Sequence, residues 1–106
     1  MSRYYETKEV LSLTKVINDI QSKKIDGMKI EKIEKENFFG TTQVKAGRWC
    51  IGYKDEFVWL MDGVNEGTLG IKVWGDNKEK EILELLSKIY NVTILDEEDL
   101  GFLHLG

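Results

Sequence analysis

The chain has 106 residues, with 15 basic against 19 acidic side chains, a net charge of −4, and 42% apolar and 10% aromatic content. That is the size of a single globular domain, residues 1–106, with apolar material enough for a core, which excludes a disordered or collagen-like polymer and a large multi-step enzyme. No apolar run approaches the roughly 20 residues that cross a bilayer as a helix, and Met1–Glu6 leads into a charged amphipathic stretch rather than a signal peptide, so the expected setting is the cytoplasm, away from membranes.

Glu6 to Lys24 reads as the first helix, because Val10, Leu13, Ile17 and Ile20 recur at helical spacing with Leu11 and Val16 widening the stripe. Thr7 is its expected N-cap, and Asp26-Gly27 its stop or a turn. Met28 to Glu36 repeats charge and apolar residues every three positions, which fits neither strand nor helix period; a lysine-rich edge strand is the reading adopted, with a short helix as the alternative.

Residues 42–74 read as an antiparallel meander. Trp49–Tyr53 and Phe57–Met61 are aromatic and aliphatic runs separated by Lys54-Asp55-Glu56. If Tyr53 pairs with Glu56 across Lys54-Asp55, one face carries Trp49, Ile51, Tyr53, Val58 and Leu60, and the other Cys50, Gly52, Phe57, Trp59 and Met61. Asp62–Gly67 is a polar, glycine-rich connection. In the strand Thr68–Trp74 that follows, Leu69, Ile71 and Val73 join the aliphatic face, leaving Thr68, Gly70, Lys72 and Trp74 beside Phe57 and Trp59.

Asp76-Asn77-Lys78-Glu79 has the spacing of a capping box opening a second helix, whose buried stripe is Ile82, Leu85, Leu86 and Ile89 and which Asn91 ends. Val92–Leu95 reads as a strand, Asp96–Asp99 as an exposed acidic loop, and Leu100–Leu105 as an apolar tail. The order α-β-β-β-β-α-β implies an α+β two-layer sandwich, an antiparallel sheet of about four or five strands with two helices.

Charge is divided unevenly: residues 1–54 carry 11 basic and 7 acidic side chains, residues 55–106 carry 4 and 12. With only two arginines and an acidic total, the chain lacks the basic stripe of an ordinary nucleic-acid binder, so direct nucleic-acid binding is not expected. The single cysteine, Cys50, sits in an apolar run and reads as a buried structural thiol; His104, the only imidazole, lies far from it in sequence, and no spacing pairs it with a base or nucleophile. No glycine-rich loop leads into a helix with Lys-Ser or Lys-Thr, and Asn91-Val92-Thr93 matches a glycosylation acceptor with no secretory context to use it. Asp96–Asp99 lacks the alternating ligands and central glycine of a calcium loop. No catalytic residue, metal or cofactor is therefore expected.

What remains is surface chemistry. Phe57, Trp59, Met61 and Trp74, gathered around Gly52 and Gly70, have the composition of an interface hot spot, unless the first helix covers them. Asp96, Glu97, Glu98 and Asp99 are suited to steering a basic partner. The expected function is a small acidic, non-enzymatic inhibitor or neutraliser that occludes a protein with a basic surface, in the manner of immunity proteins, antitoxins or phage anti-defence proteins. The alternatives are a small-molecule or nucleotide-signal-binding domain that uses the aromatic face, and a self-associating structural protein, a homodimer through that face.

Overall fold

The computed structural model describes residues 2–32, 35–38, 41–44 and 48–101. In chain order the elements are β1 (Ser2–Thr7), α1 (Leu13–Gln21), β2 (Met28–Lys32), β3 (Lys35–Phe38), β4 (Thr41–Val44), β5 (Trp49–Tyr53), β6 (Glu56–Asp62), β7 (Leu69–Trp74), α2 (Lys80–Tyr90), β8 (Ile94–Asp96) and α3 (Glu97–Leu100). Six strands form one antiparallel sheet in the order β2-β5-β6-β7-β1-β8, and β3 and β4 pair as a two-stranded ribbon. The α+β two-layer class expected from the sequence is the one observed.

Alternation along the strands decides the layering. Ile51, Val58, Leu60, Leu69, Ile71 and Val73 are fully or almost fully buried and share one face. Leu13, Val16, Ile17 and Ile20 of α1, and Ile82 and Leu86 of α2, complete the same core cluster, so both long helices pack on the aliphatic face. The β5–β6 register is Tyr53 opposite Glu56 and Trp49 opposite Leu60, as the hairpin reading required; Lys54 meets the turn's demand by adopting φ +56°.

Four local expectations are corrected. Residues 2–7 are not the entry to a helix but strand β1, inserted between β7 and β8, with Tyr5 opposite Ile71 and Asp96. The helix starts at Leu13, and its cap is Ser12, whose hydroxyl accepts from the Lys15 amide, rather than Thr7. Thr7 is buried in β1, where its Oγ1 accepts from the Leu69 amide at 3.0 Å. Helix α2 starts at Lys80 without the box at Asp76; Glu56, reaching over from β6, caps it by accepting from the Ile82 amide at 2.9 Å. The acidic run is not a loop: Asp96 ends β8 and caps α3, with Asp96 and Asp99 forming a reciprocal capping box. Met28–Glu36 is β2 and the start of β3, with positions 33 and 34 outside the described residues; so are 45–47 of the meander and 102–105 of the apolar tail, including His104.

Two half-buried acids, Glu79 and Asp19, tie neighbouring elements together. Glu79 accepts from Arg3 Nε at 2.8 Å and from the Tyr5 hydroxyl at 2.7 Å, and Arg3 also donates to the carbonyls of Gly75 and Asn77, so one of the two arginines clamps the β7–α2 connection. Burial pushes the Tyr5 phenol up to about 12, with the Glu79 carboxylate adding to it. Asp19 of α1 accepts from Tyr90 of α2 at 2.7 Å, which joins the helices across their outer end.

Candidate functional site

The face of the sheet that the long helices leave uncovered is built by the other parity of each strand. Lys29 lies opposite Gly52 and Glu31 opposite Cys50; Gly52 pairs with Phe57 and Cys50 with Trp59; Trp59 pairs with Lys72 and Met61 with Gly70; Lys72 and Gly70 pair in turn with Tyr4 and Glu6. All four aromatic and methionine residues singled out from the sequence share this face. Phe57 is 50% and Trp74 40% exposed, and Trp59 and Met61 are half-buried. The indoles of Trp59 and Trp74 meet edge to face with centroids 5.7 Å apart, a geometry that fixes both rings at modest cost in entropy.

Each indole also carries a cation. Lys72 Nζ lies 4.4 Å from the Trp74 ring centre, and the Arg48 guanidinium 5.7 Å from that of Trp59. Sequence alternation places Lys72 beside the rings, and Arg48, which shares the parity of Cys50, is legible in the same way.

Both glycines lie under a neighbouring side chain. A Cβ at Gly70 would stand 2.7 Å from the Tyr4 hydroxyl and 3.1 Å from Met61 Cγ, so the space above Gly70 is filled rather than a groove. The Tyr4 hydroxyl is there because it donates at 2.7 Å to Glu6, a fully buried carboxylate. Glu6 also accepts from the amides of Val64 and Asn65 and from the Asn65 side chain, at 2.8, 3.2 and 2.9 Å, and so moulds the β6–β7 loop. Burial alone would raise its pKa, but these donors together outweigh it and hold the carboxyl below its ordinary value. Gly52 lies under the Phe57 ring, whose Cε1 would stand 3.0 Å from a Cβ there, and a shallow groove of about 530 Å³ lined by Lys29, Glu31, Cys50, Gly52 and Phe57 runs beside that ring. Burial, reinforced by Glu31, raises the pKa of the Cys50 thiol, which makes it a poor nucleophile.

The four acids lie at the β8 edge, two strands beyond Trp74, about 10 Å across the sheet. Three of them have structural work. Asp96 and Asp99 cap α3, and Glu97 accepts at 2.9 Å from the Tyr4 amide, on a stretch of β1 that β8 is too short to pair. Glu98 is exposed. A cleft of about 270 Å³ at this edge is lined by both faces of β1, from Ser2 to Tyr5, and by Asp96, Glu97 and Glu98; Ser2 is the cross-strand partner of Trp74. The structure thus gathers Phe57, Trp59, Met61 and Trp74 into one surface and sets Asp96–Asp99 on its border.

Among the described residues no three His, Cys, Asp or Glu side chains are grouped as metal ligands would be, and no helix is long and apolar enough to cross a membrane. Comparison with protein-family models, with curated proteins and with solved structures finds no match for this chain.

Proposed function

We propose that this is a cytoplasmic, non-enzymatic binding protein that neutralises a protein partner by occluding it, with the aromatic sheet face as its contact surface. The observation that carries the reading is the placement of Phe57, Trp59, Met61 and Trp74 together on the side of the sheet opposite both long helices. A sheet that buries one face against helices has no folding reason to place two tryptophans, a phenylalanine and a methionine on the other, and large rings half exposed at a surface are the residues that dominate protein contacts. Basic groups of the partner would meet Glu98 and the α3 edge at the border of the contact. Immunity proteins, antitoxins and phage anti-defence inhibitors share this build, an analogy of size and charge only.

The test is capture from a lysate of the native host by wild-type protein and by Trp59→Ala, each verified as folded, at low and high salt. The expected result is one partner retained by wild type and lost by the variant, with association slowed by salt because long-range attraction is screened. Retention of the same partner by Trp59→Ala would remove the aromatic face from the contact.

A second reading is supported by the groove beside Gly52, whose apolar Phe57 wall and Lys29 rim could seat a small planar ligand. Its signature would be a rise in melting temperature with a small molecule and no protein partner.

A further inference from the structure

Among the described residues, the open face carries more positive than negative charge, although the chain as a whole is acidic. The described residues projecting from it include the cations Lys29, Arg48 and Lys72 and the exposed carboxylate of Glu31, while the charge of Glu6 is buried and committed to its four donors. A protein of net charge −4 therefore presents, among its described residues and around the exposed Trp74 and half-buried Trp59, a patch with an excess of positive charge. Lys29 and Lys72 lie on β2 and β7, three strand spacings or about 14 Å apart, with Phe57, Trp59 and Arg48 between.

We propose, on the footing that this face is the contact surface argued above, that it takes an acidic polypeptide segment: carboxylates settle on Lys29, Arg48 and Lys72, and apolar side chains on the same side of the segment lie on Phe57 and Met61. Three observations select this occupant. The positive charge calls for an anion, and carboxylates placed between cations already stacked on indoles complete an ion pair without disturbing the rings. Single-stranded nucleic acid would stack its bases on bare aromatic faces, but Lys72 and Arg48 already sit over Trp74 and Trp59, and the other arginine, Arg3, is locked to Glu79. A second copy set face to face would bring the three cations against themselves. The partner is thus bipolar, acidic where it meets the rings and basic where it meets the α3 edge.

The probes are three labelled chains of about ten units, long enough to cross the patch: a Glu-Leu peptide of Glu-Glu-Leu-Leu repeats, which sets both residue types on each side of an extended chain, its Lys-Leu counterpart, and oligothymidylate. Binding is read by fluorescence anisotropy and by the indole N–H resonances, with Trp49, which faces the helices, as internal reference. The Glu-Leu peptide should bind saturably below about 1 mM, moving the Trp59 and Trp74 signals and leaving Trp49 in place. The double substitution Lys29→Glu and Lys72→Glu, with an unshifted Trp49 signal as proof of fold, should weaken it by about tenfold or more. No saturable binding of the Glu-Leu peptide, equal binding of the Lys-Leu peptide, tighter binding of oligothymidylate, or indifference to the double substitution would each overturn the assignment. Self-association that rises with concentration and saturates the face would do so as well, in favour of a second copy. Loss of partner capture by Trp59→Ala alongside failure of the Glu-Leu peptide would sink the acidic segment alone and leave the contact surface standing.

Discussion

Replacing Glu6 by glutamine isolates the interaction that ties the open face to the β6–β7 loop. One carboxylate oxygen accepts from the Tyr4 hydroxyl and the Val64 amide, the other from the backbone and side-chain nitrogens of Asn65. Glutamine keeps the shape but turns an NH₂ toward one of these donor pairs, and the remaining two bonds lose the assistance of a charge. Hydrogen bonds to a charged group contribute about 1.5–3 kcal/mol each, and the Asn65 amide can turn to water, so the expected net loss is about 3 kcal/mol. In a domain of this size that lowers the melting temperature by roughly 12–24 °C. The pH dependence follows from the depressed carboxyl: the unfolded state takes up the proton more readily, so the contribution is complete above the ordinary glutamate range and disappears as pH falls through the lower folded value. Urea unfolding of wild type and Glu6→Gln from pH 7 to pH 3 should show a gap of about 3 kcal/mol at neutral pH that closes in acid. A gap below about 0.5 kcal/mol at pH 7, or one that stays constant into acid, would refute the reasoning.

Three further outcomes follow from the same geometry. Gly70→Ala should cost about 2 kcal/mol by thermal melting, because its methyl displaces the Tyr4 hydroxyl from Glu6, and the cost should shrink in a Tyr4→Phe background, where the clashing oxygen is absent. Glu56→Gln should lower stability by about 1 kcal/mol, measured by urea unfolding, as the charged cap on the first turn of α2 becomes neutral. In a Trp49→Phe protein, where only the open-face indoles report, iodide should quench more steeply than caesium, and the difference should fade with added salt, since Lys72 and Arg48 gather anions beside the rings; equal slopes for the two ions would contradict the charge assigned to this face.

Legibility in the sequence divides along local and distant partners. The hairpin register, the aliphatic face and the aromatic face were all readable from strict alternation, because a one-residue slip in β5 or β6 would have turned Ile51, Val58 and Leu60 to solvent. Strand β1 was not readable: its core-facing residues are Arg3, Tyr5 and Thr7, whose polar ends find Glu79 and Leu69 only in the folded sheet, so no apolar alternation marks it. The helical spacing that begins at Val10 then absorbed it, although Val10 is exposed. Asp76 looked like a cap because its partners lie in sequence, whereas the acting cap, Glu56, lies in β6 and the expected box member Glu79 is held by Arg3. In Asp96–Asp99 the spacing of a capping box is present, but four consecutive acids have the composition of a solvated loop.

The most direct measurement places the three tryptophans in the complex. With the captured partner bound to indole-labelled protein, the Trp59 and Trp74 signals should shift while Trp49, on the helix-covered face, keeps its position. A shift of Trp49 alone, or a bound partner that leaves Trp59 and Trp74 unmoved, would contradict the assignment of the open sheet face as the binding surface.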